Sequence, residues 1–285
     1  MATVVRLTLF LFLIVGCVSK SQKRIDTFIL QSEIFDNNRT IRVYLPPSYD
    51  GIKTFKVLYL NDGQNLFGDN EIGAVNEWRL DEIMDSLWKE TDLEPLIVVG
   101  IDHAGKGRGN EYLPWPDEYL HPPIPQPEGS KYPHFLMEEV MPAIETKYQV
   151  QKGKHHTGIG GASYGGLISL YTLVSNPETF GFALIESPSL YVNDQSILTL
   201  VKEQGGSWPT RIYLGIGTNE LGLEHCGLNN PDNQMAVEDV DSLYNLVRQQ
   251  TPATKCLKFV DSCAVHSELA WSRRLPQALQ FLLGD

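Results

Sequence analysis

The stretch GIGGASYGGL, residues 158–167, surrounds one hydroxyl, Ser163, with five glycines, after a short apolar run and before an apolar, helix-like one. The spacing Gly161-Ala162-Ser163-Tyr164-Gly165 suits a turn too tight for side chains on either flank, the kind that lifts a serine out of a strand. A serine hydroxyl is a weak nucleophile at neutral pH and needs an adjacent base. Histidine can take its proton and return it to a leaving group, and a carboxylate fixes the tautomer of that histidine. Both residue types follow in the chain: Glu220 in Gly217-Thr218-Asn219-Glu220, and His266 after Ala264-Val265. Glu224 and Asp232 share the Glu220 loop and are alternative acids, and a Ser–His dyad would also serve. With 24 glycines in the chain, the serine motif decides little by itself. What matters is whether the surrounding elements would bring the three residues to one place.

The elements that follow the serine alternate regularly. HHTGIGG reads as a strand, GGLISLYTLV as a helix, FGFALIES as a strand and QSILTLVKE as a helix. RIYLGIG, QMAVEDVDSLYNLVRQQ, CLKFVDS and SELAWSRRLPQALQFLL continue the pattern. Strands separated by helices imply an α/β fold with a mostly parallel sheet covered on both faces. Upstream, TFILQSEIF and IRVYLP read as two strands divided by Asp36-Asn37-Asn38, followed by the strands FKVLYLND and PLIVVGID. VNEWRLDEIMDSLWKE has a helical pattern with Trp78, Ile83, Leu87 and Trp88 on one face. Prolines rule out regular structure over much of the segment from Ala104 to Ser130, and the helix-like HFLMEEVMPAIETKY should bend at Pro142. In parallel sheets chemistry collects beyond the carboxyl ends of strands. Ser163, Glu220 and His266 each lie just past such an end, in the chain order of α/β-hydrolase triads.

A tetrahedral intermediate also needs backbone donors. The Tyr164 amide, next after the serine, is one candidate. The turn Asn61-Asp62-Gly63-Gln64-Asn65 offers the other through Gly63 or Gln64, with Gly63 expected to let the backbone approach the substrate. Asp62 and, in the Pro-rich segment, Arg108 and Trp115 are candidate substrate contacts.

The composition narrows the partners. A formal charge of −12 without a basic cluster argues against nucleic acid. No ligand spacing for a metal and no phosphate-binding glycine loop is present, so no cofactor is expected. Arg6 precedes LTLFLFLIV, an apolar run of signal-peptide length that ends in Ile14-Val15-Gly16-Cys17. Residues 1–16 are therefore expected to be removed and Cys17 to be lipidated, placing the chain in the cell envelope; a plain periplasmic or secreted protein is the alternative. Residues 25–285 would form one domain. Cys256 and Cys263 flank one strand and stand roughly 20 Å apart, too far to pair. Cys226 and Cys263 each follow a parallel strand, which makes them the expected pair in any disulfide.

Several motifs together carry a resemblance. FKVLYLNDGQNLF, VVGIDHAGKGRGNEYLPW, TGIGGASYGGLISLY with NPETFG, GTNE and the terminal HSELAW resemble the esterase D-like family of α/β-hydrolases over about residues 25–284. That family includes enterochelin-type siderophore esterases, feruloyl and acetyl xylan esterases, S-formylglutathione hydrolase and mycolyltransferases. The resemblance implies an α/β-hydrolase fold, Ser163 as nucleophile and His266 as base, and it supports Glu220, since the acid of feruloyl esterases follows Gly-Thr-Asn. It implies a serine esterase acting on a siderophore-type lactone or on a feruloyl or acetyl carbohydrate ester. Acyl transfer on the same triad and a non-catalytic binding role are the alternatives. Asp62-Gly63 stands where many relatives have His-Gly, and its D-G-Q form resembles the enterochelin-esterase branch. Glu186, where relatives are often apolar, is expected to be a solvated strand end, with a substrate contact near Ser163 as the alternative.

Overall fold

A computed structural model describes residues 24–68, 77–227 and 230–284. The expected signal segment 1–16 and Cys17 lie outside the described residues. The strands are β1 (Ile25–Ser32), β2 (Asn37–Tyr44), β3 (Lys56–Asn61), β4 (Leu96–Ile101), β5 (Thr157–Ala162), β6 (Phe182–Glu186), β7 (Arg211–Gly217) and β8 (Lys255–Asp261). They form one sheet in the order β1-β2-β4-β3-β5-β6-β7-β8. Only β2 runs against its neighbours; β4, β3, β5, β6, β7 and β8 are mutually parallel. This is the mostly parallel α/β sheet expected from the alternating pattern, and the α/β-hydrolase fold that the family resemblance implies.

The helices are α1 (Leu80–Glu90), α2 (Arg108–Tyr112), α3 (Tyr132–His134), α4 (Met141–Lys147), α5 (Tyr164–Ser175), α6 (Val192–Gln204), α7 (Pro231–Gln250) and α8 (Glu268–Leu283). Alternation along each strand feeds two cores. In β3, Val57 and Tyr59 pack on the face covered by α2 to α7, while Leu58 and Leu60 meet α1 and α8. Every residue of β4 is buried, which is why its sequence is almost uniformly apolar.

Three local readings change. Helix α1 begins only at Leu80; Arg79 has φ 53°, and Trp78 is buried ahead of the helix, its amide donating to the Asn65 carbonyl at 2.8 Å. The helical run from Tyr132 to Lys147 accommodates Pro142 through a π-helical segment, Phe135–Val140, just before it. In α6 the left-handed residues Asn193, Asp194 and Gln195 interrupt the first turn, and regular helix begins after them. The carboxyl ends of β3, β5, β6, β7 and β8 share one edge of the sheet and deliver Asp62, Ser163, Ser187, Glu220 and His266 to it.

Candidate active site

Ser163 joins β5 to α5 with φ 59° and ψ −128°, a conformation that L residues rarely adopt. Three backbone bonds hold it there. Its amide donates to the Glu186 carbonyl at 3.1 Å, and its carbonyl accepts from the amides of Leu167 at 3.0 Å and Ser189 at 3.2 Å. The flanking glycines are needed for packing across the turn: a Cβ on Gly161 would meet the Gly165 backbone at 2.8 Å. Asn61, at the end of β3, fastens the first turn of α5 by donating to the Gly165 carbonyl and to Ser169 Oγ, both at 3.0 Å. Its own oxygen accepts from the buried Tyr132 hydroxyl.

Glu220 and His266 meet directly. His266 Nδ1 lies 2.6 Å from Glu220 Oε2, and because a carboxylate only accepts, Nδ1 carries the proton of that bond. The His266 ring also stands edge-on to Trp271, 5.1 Å between centroids. The second oxygen, Glu220 Oε1, accepts from the Gly217 amide at 2.6 Å and the Ser187 hydroxyl at 2.8 Å. Burial pushes the Glu220 carboxyl up, but His266, the Gly217 amide and Ser187 together outweigh it and hold the acid below its ordinary value. Of the alternative acids, Glu224 is exposed and Asp232 lies on the cleft wall; the carboxylate paired with His266 is that of Glu220. Cys226 and Cys263 form a disulfide with Cα atoms 4.8 Å apart, tying the Glu220 loop to the His266 loop. Cys256 is free.

The turn after β3 is Gly63–Asn65, and its own bonds use the amides of Asn65 and Leu66, leaving those of Gly63 and Gln64 unconsumed by it. Gly63 has a packing reason in the fold: a Cβ there would meet the Gly100 backbone at 2.5 Å, so the glycine admits β4. Asp62, at φ 58°, is bound by Arg108 through Nε at 2.8 Å and Nη2 at 2.9 Å. The guanidinium lies over the rings of Tyr112 and Tyr164, 5.3 Å from each centroid. Burial works against its charge and Asp62 more than compensates, so Arg108 stays protonated and already neutralised.

Two expectations fail in space. Trp115 packs edge-on against Tyr171 of α5 and lines neither cavity beside Ser163. Glu186 is no solvated strand end: it is fully buried, and Arg274 donates to its Oε2 through Nε at 3.0 Å and Nη2 at 2.7 Å. An acid at the end of a buried strand could be read correctly only by knowing that α8 brings an arginine to it.

Ser163 and His266 together border two cavities. The larger, about 540 Å³, is mainly apolar, with Tyr119, Leu190, Tyr191, Ile216, Leu221 and Met235 in its wall and Asp232 and Asp239 among them. The smaller, about 220 Å³, is polar and contains Asp62, Asn65, His103, Arg108, Glu268 and Trp271. A groove of about 570 Å³ at the opposite, amino end of the strands, between Lys56, Phe182 and Arg211, is remote from Ser163. Sequence reasoning missed the residue that shapes the larger cleft, Asp117. It is buried and accepts from the hydroxyls of Tyr164 and Tyr191, the latter at 3.3 Å, and from the Tyr119 amide at 2.9 Å. An aspartate among prolines carried no signal of that role.

Comparison with known proteins agrees with this fold. The chain is 27% identical to the uncharacterized protein YbbA of Bacillus subtilis over 260 residues, 89% of this chain and 96% of YbbA. It is 28% identical to the ferri-bacillibactin esterase BesA of the same organism over 183 residues, 57% of this chain and 58% of BesA. The siderophore hydrolase EstA from Aspergillus nidulans has a similar fold, with a TM-score of 0.71 and 22% identity, covering 96% of this chain and 99% of EstA. The profile of the esterase family, described as "Putative esterase", matches residues 32–282. With an α/β-hydrolase sheet, a serine at a strained strand–helix turn and a match over most of its length, this chain belongs to that esterase family and is a carboxylic ester hydrolase.

Proposed function

We propose that the protein hydrolyses esters through an acyl-enzyme on Ser163. His266 acts as general base and then general acid, and Glu220 holds its tautomer and stabilises the imidazolium. The observation that carries this reading is the 2.6 Å contact between His266 Nδ1 and Glu220 Oε2, on the same sheet edge as the strained Ser163. Attack of Ser163 Oγ on the ester carbonyl passes its proton to Nε2 and puts charge on the carbonyl oxygen. The Tyr164 amide, first in α5, and an amide of the Gly63-Gln64 turn are the donors proposed for that charge. Nε2 then protonates the leaving alcohol, and water attacks the acyl-enzyme by the reverse route.

For the substrate we favour a siderophore-type lactone, supported by the likeness to BesA and EstA. A feruloyl or acetyl carbohydrate ester is the second reading; the Tyr119 ring, 72% exposed at the cleft, would suit a sugar or aryl face. The test is product analysis with a tri-catecholate lactone, a feruloylated oligosaccharide and an acetylated one, with Ser163→Ala as control. Preferential opening of the lactone, lost in Ser163→Ala, is the expected result. Preferential release of ferulate or acetate would favour the second reading, and an acylated alcohol as main product would indicate transfer. Export with a lipid on Cys17 is part of the proposal, supported by the apolar run that precedes it. A fatty-acid label should enter the wild-type chain in cells and be absent from Cys17→Ser.

A further inference from the structure

The acid of the site is itself held by a second set of residues. Ser187 follows β6 at φ 37°, its amide donating to the Gly215 carbonyl at 2.8 Å. Its hydroxyl can donate one proton and accept two. Both acceptor positions are occupied: Trp271 Nε1 donates to it at 3.0 Å and Arg274 Nη2 at 3.2 Å. Its single proton therefore has one destination, Glu220 Oε1 at 2.8 Å. Trp271 and Arg274 lie three residues apart on α8, the spacing that puts two side chains on one helix face. Arg274 cannot swing away, because Nε and Nη2 are both engaged by Glu186 and its side chain is 1% exposed.

We propose that Ser187 is a positioning residue for Glu220, and that Trp271 and Arg274 of α8 act through it by aiming its hydroxyl at the carboxylate. The proposal rests on the assignment of Ser163, Glu220 and His266 given above. With Oε1 pinned by Ser187 and the Gly217 amide, Oε2 is presented to His266 Nδ1. A carboxylate free to rotate would hold the imidazolium less well in the transition state, whereas binding of the ground-state ester would be unaffected.

Removing Arg274 would leave Glu186 buried without its partner, so the informative variants are Ser187→Ala and Trp271→Phe, singly and combined. The phenylalanine keeps a ring beside His266 and deletes only the donor to Ser187. Rates are taken per site titrated with a fluorophosphonate, with an aryl ester as substrate. Ser187→Ala should lower kcat by about 10–100-fold, the loss of one hydrogen bond to a charged group, with KM changed little. Trp271→Phe should lower kcat by about 3–10-fold in the parent and by much less in Ser187→Ala, because its effect passes through the hydroxyl. Additive losses, an unchanged kcat in Ser187→Ala, or a loss confined to KM would each overturn the proposal. Ser163→Ala separates this failure from that of the underlying reading: if it is inactive, only the role of Ser187 falls; if it retains full activity, both do.

Discussion

At the scale of single residues, the site depends on a serine placed where backbone is expensive. A non-glycine residue in such a region costs on the order of 1–3 kcal/mol. At Ser163 three backbone bonds and the glycine packing behind the turn offset that cost. The acid is where the chemistry is most exposed to small changes. Glu220→Gln keeps the size of the side chain but offers His266 a neutral amide that can present either its oxygen or its NH2. The expected result is a fall in kcat of about 10²–10⁴-fold with little change in KM or melting temperature, read from steady-state kinetics and a thermal melt. Wild-type rates in Glu220→Gln would show that the histidine works without a fixed acid. The negative charge of Glu220 is secured by three donors, so its share of stability is present at neutral pH and lost as pH falls through its lowered value.

At the scale of elements, two loops and one segment set the site. The disulfide between Cys226 and Cys263 closes 37 residues and connects the loops that carry Glu220 and His266. Loop-closure entropy puts its contribution at about 4 kcal/mol for a loop of this length. Replacing both cysteines by serine should lower stability by up to that amount in urea unfolding and reduce kcat. Unchanged kcat in a folded double variant would show that the two loops hold their places without the tether. The Pro-rich segment depends on a different anchor, Asp117, which ties it to Tyr164 beside Ser163 and to Tyr191 in the cleft wall. Asp117→Ala should release Tyr119 and Tyr191 from that wall and raise KM for an aryl ester by several-fold to about tenfold, the scale of one lost hydrogen bond. A smaller effect than on acetyl esters would argue that the segment does not face the aryl group.

At the scale of the whole molecule, an acidic chain places further carboxylates around its own cleft. Burial, reinforced by Glu238, pushes the Asp239 carboxyl up to about 6. A folded value above the unfolded one of 3.8 means that the fold favours the protonated acid. Its stabilisation is complete below 3.8 and is lost as pH rises through about 6. Asp239→Asn removes this dependence and keeps an oxygen for Gln195 Nε2, which donates to Asp239 at 2.8 Å. The variant should exceed the parent in stability by about 1 kcal/mol at pH 8, after discounting for solvent screening in an open cleft, and show no gain at pH 4. Equal stability at both pH values would count against the raised value.

The sequence by itself determined the strand order of appearance, the serine at a glycine-flanked turn, and the acid and histidine beyond later strands. These were legible because each is local: a run of apolar residues makes a buried strand, and the residue after it emerges at the carboxyl edge. It did not reveal that Gly63 makes room for Gly100, that Glu186 lies buried on Arg274, or that Trp115 turns away from the cleft. Those facts depend on contacts between residues far apart in the chain, 88 positions in the case of Glu186 and Arg274. Only tertiary packing brings α8 against the end of β6. Which of several acids reaches His266 was decided the same way, by the sheet edge that sets β7 beside β8.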